Sequence, residues 1–502
     1  MGVLAKFMKS IIKINENDNV CVALKDLKIG DVIEVNGLKI SIKDDIKTGH
    51  KVAIKNIKNN EDIIKYGFPI GHALLDIEEG SHVHTHNIKT NLTGVQDYTF
   101  NQKLIDSDIK NENLTFKGYR RENGEVGIRN ELWIVPTVGC VNGMADKIME
   151  RFKRETGELK LDNTLVLKHN YGCSQLGDDH ENTRVILKDA IKHPNAGGVL
   201  VLGLGCENNN MTDFKKLVGD VDNSRIKFLV SQEVSDEIEE GVKLLKEIYE
   251  VVKNDKREDV PLSELKVGLK CGGSDGFSGI TANPLLGRFS DFLIAQGGTT
   301  ILTEVPEMFG AETILMNRCK DREIFDKTVH LINDFKEYFI KYDQPVYENP
   351  SPGNKAGGIT TLEDKSLGCT QKAGNEKVVD VLKYGDRLAH KGLNLLSAPG
   401  NDLVAASALA SSGCQMVLFT TGRGTPFGSY VPTMKISTNS KLYNFKRNWI
   451  DFNAGELVEG KSFDEVLKDF VDYIIKVASG ELVNNEKNDF REIAIFKTGV
   501  TL

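Results

Sequence analysis

Apolar positions change their rhythm twice along the chain. Over the first 90 or so residues Val and Ile come in short runs separated by glycine, and IKTGHKV from Ile46 and IEEGSHV from Ile77 both fit I-x-x-G-x-x-V. Such an echo fits repeated hairpin corners in a small β domain, placed over 1–95. From Gln96 to Lys117 the pattern is polar and aperiodic, which predicts a linker over 96–117, long enough for the β domain to swing.

From Gly118 onward apolar runs alternate with helical patterns. LWIVPTV, NTLVLKH, GVLVLGL, RIKFLVS, LKVGLK, TTILTEV, LNLLSA and QMVLFTT are the candidate strands. Short apolar runs between helices imply βαβ units and parallel sheets. The charged segment EVVKNDKREDVPLSEL, which contains Pro261, divides this series into a middle α/β domain over 118–258 and a C-terminal domain over 259–502. The fold class is therefore multidomain α/β behind a small β domain. One aperiodic stretch inside the last domain, Gln344 to Gly374, is rich in Gly and Lys and predicts a loop that covers substrate.

Composition narrows the function. The 502 residues are 40% hydrophobic and 27% charged, with a net charge of −8 and no basic block, which points away from nucleic acid and toward a small-molecule ligand. No apolar run reaches the roughly 18 residues needed to span a bilayer. The start of the chain looks faintly like a signal peptide, but Lys6 and Lys9 interrupt its apolar stretch, so the expected location is cytoplasmic. The eight dispersed cysteines are not a disulfide framework.

Two sets of residues carry candidate chemistry. In GSHVHTHNIKTNL, His82, His84 and His86 stand two apart, a spacing that turns side chains to one face of a strand and lets imidazoles share a zinc or ferrous ion. The second set is Cys140, Cys173, Cys206 and Cys271, each at the end of a predicted parallel strand, three of them directly after glycine. Ligands of open α/β sheets gather at those strand ends, so the four thiols are expected to converge on iron or an iron–sulfur cluster. Nearby strand-end loops carry His169, Glu207, Glu304, Glu307 and, between glycines in GRGTPFG, Arg423. GLGCENN lacks the third glycine of a dinucleotide fingerprint, and neither a phosphate-binding P-loop nor a G-x-S-x-G elbow occurs.

The phrases GHKVA, KYGFPIGHA, GSHVHTHN, GYRRENGEVGIRNELWIVPTVGC, HNYGCSQLGDDH, GLGCENN, KCGGSDGFSGITANPLLGRFSD, SPGNKAGG and TTGRGTPFG together resemble the altronate/galactarate dehydratase family over nearly the whole chain. The resemblance implies a β-clip (SAF-like) first domain, an α/β middle domain and a Rossmann-like C-terminal domain. It also implies dehydration of D-altronate to 2-dehydro-3-deoxy-D-gluconate in hexuronate breakdown, with dependence on Fe(II), for which Mn(II) is a substitute. Removing a proton next to a carboxylate needs a base and nearby positive charge. His169 is the first expected base, with His84 and His86 as rivals and Lys355 as base or carboxylate partner; carboxylate capture falls to Arg423 or to Arg121, Arg129 and Asn130. A homodimer is the expected assembly. Galactarate or another sugar acid as substrate, or a sugar-acid sensor without turnover, are the alternatives.

Overall fold

A computed structural model describes residues 10–105 and 107–499; the chain start with Lys6 and Lys9 lies outside them. The first domain is all β. Strands Ile11–Ile12, Val20–Ala23, Lys51–Ala53 and His82–Val83 form an antiparallel sheet in that order. Hairpin Val32–Val35 with Leu38–Ser41, and the set Asp62–Lys65, Phe68–Ala73 and Ile88–Lys89, complete it. The echo in the sequence is fourfold here. Leu27 bridges to Ile46 and Ile57 to Ile77, and three residues after each comes Gly30, Gly49, Asn60 or Gly80, all at positive φ. Leu in place of Ile, and Asn in the left-handed position that otherwise takes Gly, hide two of the four copies from the pattern.

The middle domain has four parallel strands in the order Asn163–Val166, Glu131–Pro136, Ala196–Gly203 and Ile226–Val230. Leu132 and Ile134 pack on one face and Trp133 and Val135 on the other, so a strand buried on both sides reads as a continuous apolar run. The C-terminal domain carries seven parallel strands: Val378–Leu382, Gly392–Leu396, Thr299–Leu302, Lys266–Cys271, Met416–Thr421, Thr433–Ser437 and Phe452–Asn453, again in spatial order. All eight expected strands form. Trp133 and Val135 share one apolar cluster with Ile301, Leu396 and Val417, so the two α/β units are joined through a common core.

The segments between domains are built into the structure. Thr115–Arg120 pairs antiparallel with Glu258–Pro261, zipping together the two stretches that separate the units in sequence. The expected tether is instead a strap on the C-terminal domain. Gln102 donates to the carbonyls of Cys319 and Lys320, the Lys103 amide donates to Asn317, and Tyr98 and Phe100 pack on the core. The long stretch after Gln344 is likewise no open loop. It holds helices Pro352–Ala356, capped by Ser351, and Leu362–Cys369, whose residues are all buried.

Candidate active site

The third and fourth strands of the first sheet bring the imidazoles together. In the antiparallel pairing of Lys51–Ala53 with His82–Val83, Val52 faces His82, and His50 Nδ1 lies 3.0 Å from His82 Nε2. One nitrogen each from His50, His82 and His84 lie within 4.8 Å of one another. The strand ends at Val83, and the turn that follows is fixed by Asn87, whose side chain accepts from the His84 amide and donates to the His82 carbonyl. Its reach back across the turn keeps His84 stacked on His82 with ring centroids 5.3 Å apart, and the exposed His86 at 5.5 Å from His82.

Burial lowers the pKa of the three imidazoles His50, His82 and His84. Burial, then the neighbouring His50, His86 and Lys51, push His82 down to about 4. Burial, then Lys51 and the other histidines, push His84 down to about 3. His84 Nδ1 is buried without a hydrogen-bond partner, a costly state for a polar atom that a bound ion would relieve. Three neutral imidazoles with converging lone pairs are donors that suit a borderline divalent ion, so His50, His82 and His84 fit the iron that the sequence resemblance implies.

The cluster sits where the first domain meets the last. His50 Nε2 is 3.3 Å from the Ala356 carbonyl. Next to it, the buried Lys51 donates to the Gly358 carbonyl at 2.7 Å and to Asp364 at 2.8 Å, and Lys65 reaches the other oxygen of Asp364 at 2.9 Å. Burial pushes the Asp364 carboxyl up, but the two ammoniums outweigh it and hold it well below the usual carboxylate range; burial pushes Lys51 down to about 8. The approach depends on bare backbone. A Cβ on Gly276 would come within 1.9 Å of the Gly49 carbonyl oxygen and one on Gly358 within 2.3 Å, which explains glycine in both C-terminal loops.

Two cations flank this junction. Lys355 lies on Pro352–Ala356, one residue before the carbonyl that His50 contacts, and Arg423 follows Met416–Thr421. The Arg423 amide donates to the Gly273 carbonyl, and a Cβ on Gly353 would sit 3.6 Å from Arg423 Nε, so the two loops touch. Neither charged group has a hydrogen bond or ion pair with a described residue. Asp275 anchors the loops below, accepting from Thr438, Asn439, Ser278 and the Phe277 amide.

The expected site residues therefore divide. His84, His86, Lys355 and Arg423 are brought together, and His50 joins them. His50 escaped attention although the I-x-x-G-x-x-V echo carries it, because pairing the two copies in neighbouring strands is what sets it beside His82. Other expectations are corrected. His169 has Nε2 2.8 Å from the Pro136 carbonyl and Nδ1 accepting from the Tyr171 amide, so no lone pair is left for a proton. Arg129 is wholly buried on Glu486 and the carbonyls of Ile128, Val477 and Glu481. Arg121 is spent on Asp255, Asn130 and the Pro194 and Arg129 carbonyls, and Asn130 on Arg121 and the Val252 carbonyl. Arg129 is a strut between the middle and C-terminal domains, and Arg121 and Asn130 brace the middle domain internally.

The four thiols do not form one set, because they belong to two sheets. Cys140, Cys173 and Cys206 are exposed at the ends of the middle strands, on loops joined by hydrogen bonds from Gly139 to Tyr171 and from Asn209 to Gly172. Cys271 is buried in the C-terminal domain. An open cleft of about 570 Å³ near Arg121 lies at the opposite ends of the middle strands, where Arg121 and Arg225 are both held by Asp255.

Three family models match the chain in tandem. They are described as the Altronate/galactarate dehydratase SAF domain over residues 9–91, the D-galactarate dehydratase/Altronate hydrolase second domain over 118–253, and the D-galactarate/Altronate dehydratase C-terminal domain over 262–501. The chain belongs to the altronate/galactarate dehydratase family. Altronate dehydratase of Bacillus subtilis is 68% identical over 497 residues, 99% of this chain and 100% of its own length. Altronate dehydratase of Escherichia coli is 58% identical, covering 98% and 99% of the two chains, and the galactarate dehydratase (L-threo-forming) of the same organism 32%, covering 94% and 93%. No helix among the described residues is long and apolar enough to cross a membrane.

Proposed function

We propose that the chain is a hydro-lyase that converts D-altronate to 2-dehydro-3-deoxy-D-gluconate and water, in hexuronate breakdown, at the junction of its first and last domains. The reading rests on the relatives above and on one observation: Lys355 and Arg423, whose charged groups have no partner among the described residues, flank the cluster of His50, His82 and His84. Altronate is favoured over galactarate because the two relatives named for it are 68% and 58% identical and the galactarate enzyme 32%. A cytoplasmic location agrees with eight free thiols, and a homodimer is the proposed assembly.

The substrate is a polyhydroxy carboxylate, and its carboxylate matches the planar fork of Arg423 with Lys355 beside it. Holding the C1 carboxylate there points C2 and C3 at the histidines. Positive charge on the carboxylate oxygens lowers the cost of removing the C2 proton. We assign that proton to His86, the imidazole of the site that stands outside the triad of converging nitrogens and is open to solvent. The C3 hydroxyl leaves as water with the proton that His86 took from C2, and the resulting enol loses its C2 hydroxyl proton and gains one at C3 to become the 2-keto acid. Fe(II), or Mn(II) in its place, is proposed to be held by His50, His82 and His84, where it would supply Lewis-acid stabilisation to developing oxygen charge. Lys51, Lys65 and Asp364 carry a net positive charge under the cluster and hold the two domains in register.

An anaerobic assay of the purified chain with altronate and Fe(II), following the 2-keto acid, tests the proposal. Formation of the keto acid with one water released supports it. Absence of turnover with altronate, galactarate and related sugar acids contradicts it.

A further inference from the structure

The C-terminal domain contains a second cluster that the proposed reaction does not use. Cys271 ends the central strand Lys266–Cys271, Glu304 and Glu307 follow Thr299–Leu302, and Cys369 ends helix Leu362–Cys369. All four are buried. The Sγ atoms of Cys271 and Cys369 are 3.3 Å apart, and Oε2 of Glu307 is 3.5 Å from the first and 3.2 Å from the second. Oε1 of Glu304 is 3.9 Å from Cys271 Sγ. Buried cysteine ordinarily packs as a small hydrophobe. Here both thiols face carboxylates instead.

We infer that Cys271, Cys369 and Glu307, whose donor atoms lie within 4.8 Å of one another, form a buried site for a soft or borderline divalent cation, zinc or ferrous iron, with Glu304 beside it and separate from the histidine cluster. Donor separations of this size are those of atoms that share one ion at about 2.0–2.3 Å. The surroundings have the form of an outer shell. Lys365 donates to Oε1 of Glu307 at 2.8 Å, leaving Oε2 turned to the sulfurs. Lys372 donates to Oε2 of Glu304 at 3.1 Å and to Cys271 Sγ at 2.9 Å, and Lys270 joins Glu304 to Asp402. Ligating carboxylates are commonly fixed in this way by a second partner.

Charge balance permits the same occupant. Glu304, Glu307 and Asp402 offset Lys270, Lys365 and Lys372 when both thiols keep their protons. Two thiolates and one divalent cation restore the same neutrality, so an ion can replace two protons without leaving net charge in a buried site. The ion would fix the end of Leu362–Cys369, the helix whose Asp364 holds Lys51 and Lys65 of the first domain.

The test uses the full chain, stripped of metal under anaerobic conditions, with Cys140, Cys173 and Cys206 all replaced by Ser to silence the exposed thiols. Titration with Co(II) is expected to raise a sulfur-to-cobalt charge-transfer band in the near ultraviolet. The band should persist in a His82→Ala background and disappear on adding Cys271→Ser or Cys369→Ser. Should either variant fail to fold, X-ray absorption of the zinc-loaded parent carrying His82→Ala, with zinc at no more than about one equivalent, is expected to give two sulfur neighbours at about 2.3 Å. Absence of the charge-transfer band in the parent, its persistence in both folded cysteine variants, or a zinc shell of only nitrogen and oxygen overturns the assignment. None of these readouts depends on turnover, so they stand apart from the test of the dehydratase reading.

Discussion

His50 Nδ1 and His82 Nε2 approach to 3.0 Å across neighbouring antiparallel strands, although the residues are 32 apart in the chain. Replacing His50, His82 or His84 by Ala is expected to lower affinity for Fe(II) by at least about 100-fold, since even outer-shell changes cost 10–100-fold. Iron content after anaerobic dialysis measures this. Retention of a full complement of iron by all three variants would remove the triad from the account.

His86 stands beside this triad and is assigned the C2 proton. His86→Asn is expected to lower kcat by about 10²–10⁴-fold, the usual contribution of a positioned base, while iron content stays unchanged. Loss of exchange between the C2 hydrogen of altronate and solvent, measured separately, distinguishes a missing base from a lost ligand.

Arg423 is assigned the substrate carboxylate. Arg423→Lys keeps the charge and loses the bidentate fork, so kcat/KM for altronate is expected to fall by about 10–100-fold, or about 1.4–2.7 kcal/mol. Lys355→Met is expected to fall in the same range. Unchanged kcat/KM in both variants places the carboxylate elsewhere.

Arg129 is a strut, and its substitution has a different signature. Arg129→Met leaves Glu486 charged and buried, which costs about 3–5 kcal/mol in a buried pair. Urea unfolding should register that loss while the KM for altronate stays within about twofold. A large rise in KM without loss of stability would return Arg129 to the substrate.

His193 makes stability depend on pH. Burial first, then Arg387, push it down to about 3, with Nε2 on the Cys414 carbonyl and Nδ1 accepting from the Asn195 amide. Because the folded value lies below the unfolded one, the unfolded chain takes up the proton first. The contribution is complete above about pH 6.5 and lost as pH falls toward 3, on the order of 5 kcal/mol in all and about 2 kcal/mol by pH 5. Unfolding of the parent and of His193→Gln at pH 7 and pH 5 checks this: the fall in stability should be smaller in the variant.

Most of the fold was legible because its strands are buried on both faces and read as apolar runs. Thr433–Ser437 escaped because its sequence TMKIS puts Lys435 and two hydroxyl residues in the interior. The site was legible where residue type is unusual in its surroundings: histidines at alternate positions, a lone Arg423 and Lys355 among glycines. Arg129 and Arg121 were misread for the same reason, since a cation beside a strand looks alike whether it meets a ligand, a buried Glu486 or a half-buried Asp255. Asp364, Lys365 and Cys369 lie in an aperiodic stretch whose function is set by contacts more than 50 residues away along the chain.

The central claim is that chemistry occurs where the first domain meets the last. Crystals grown anaerobically with Fe(II) and altronate, measured at the iron absorption edge, test it most directly. The account predicts an anomalous peak between His50, His82 and His84, with the altronate carboxylate within hydrogen-bond reach of Arg423 and Lys355. Iron and altronate found together at the loops of Cys140, Cys173 and Cys206, with the histidine triad empty, would contradict it.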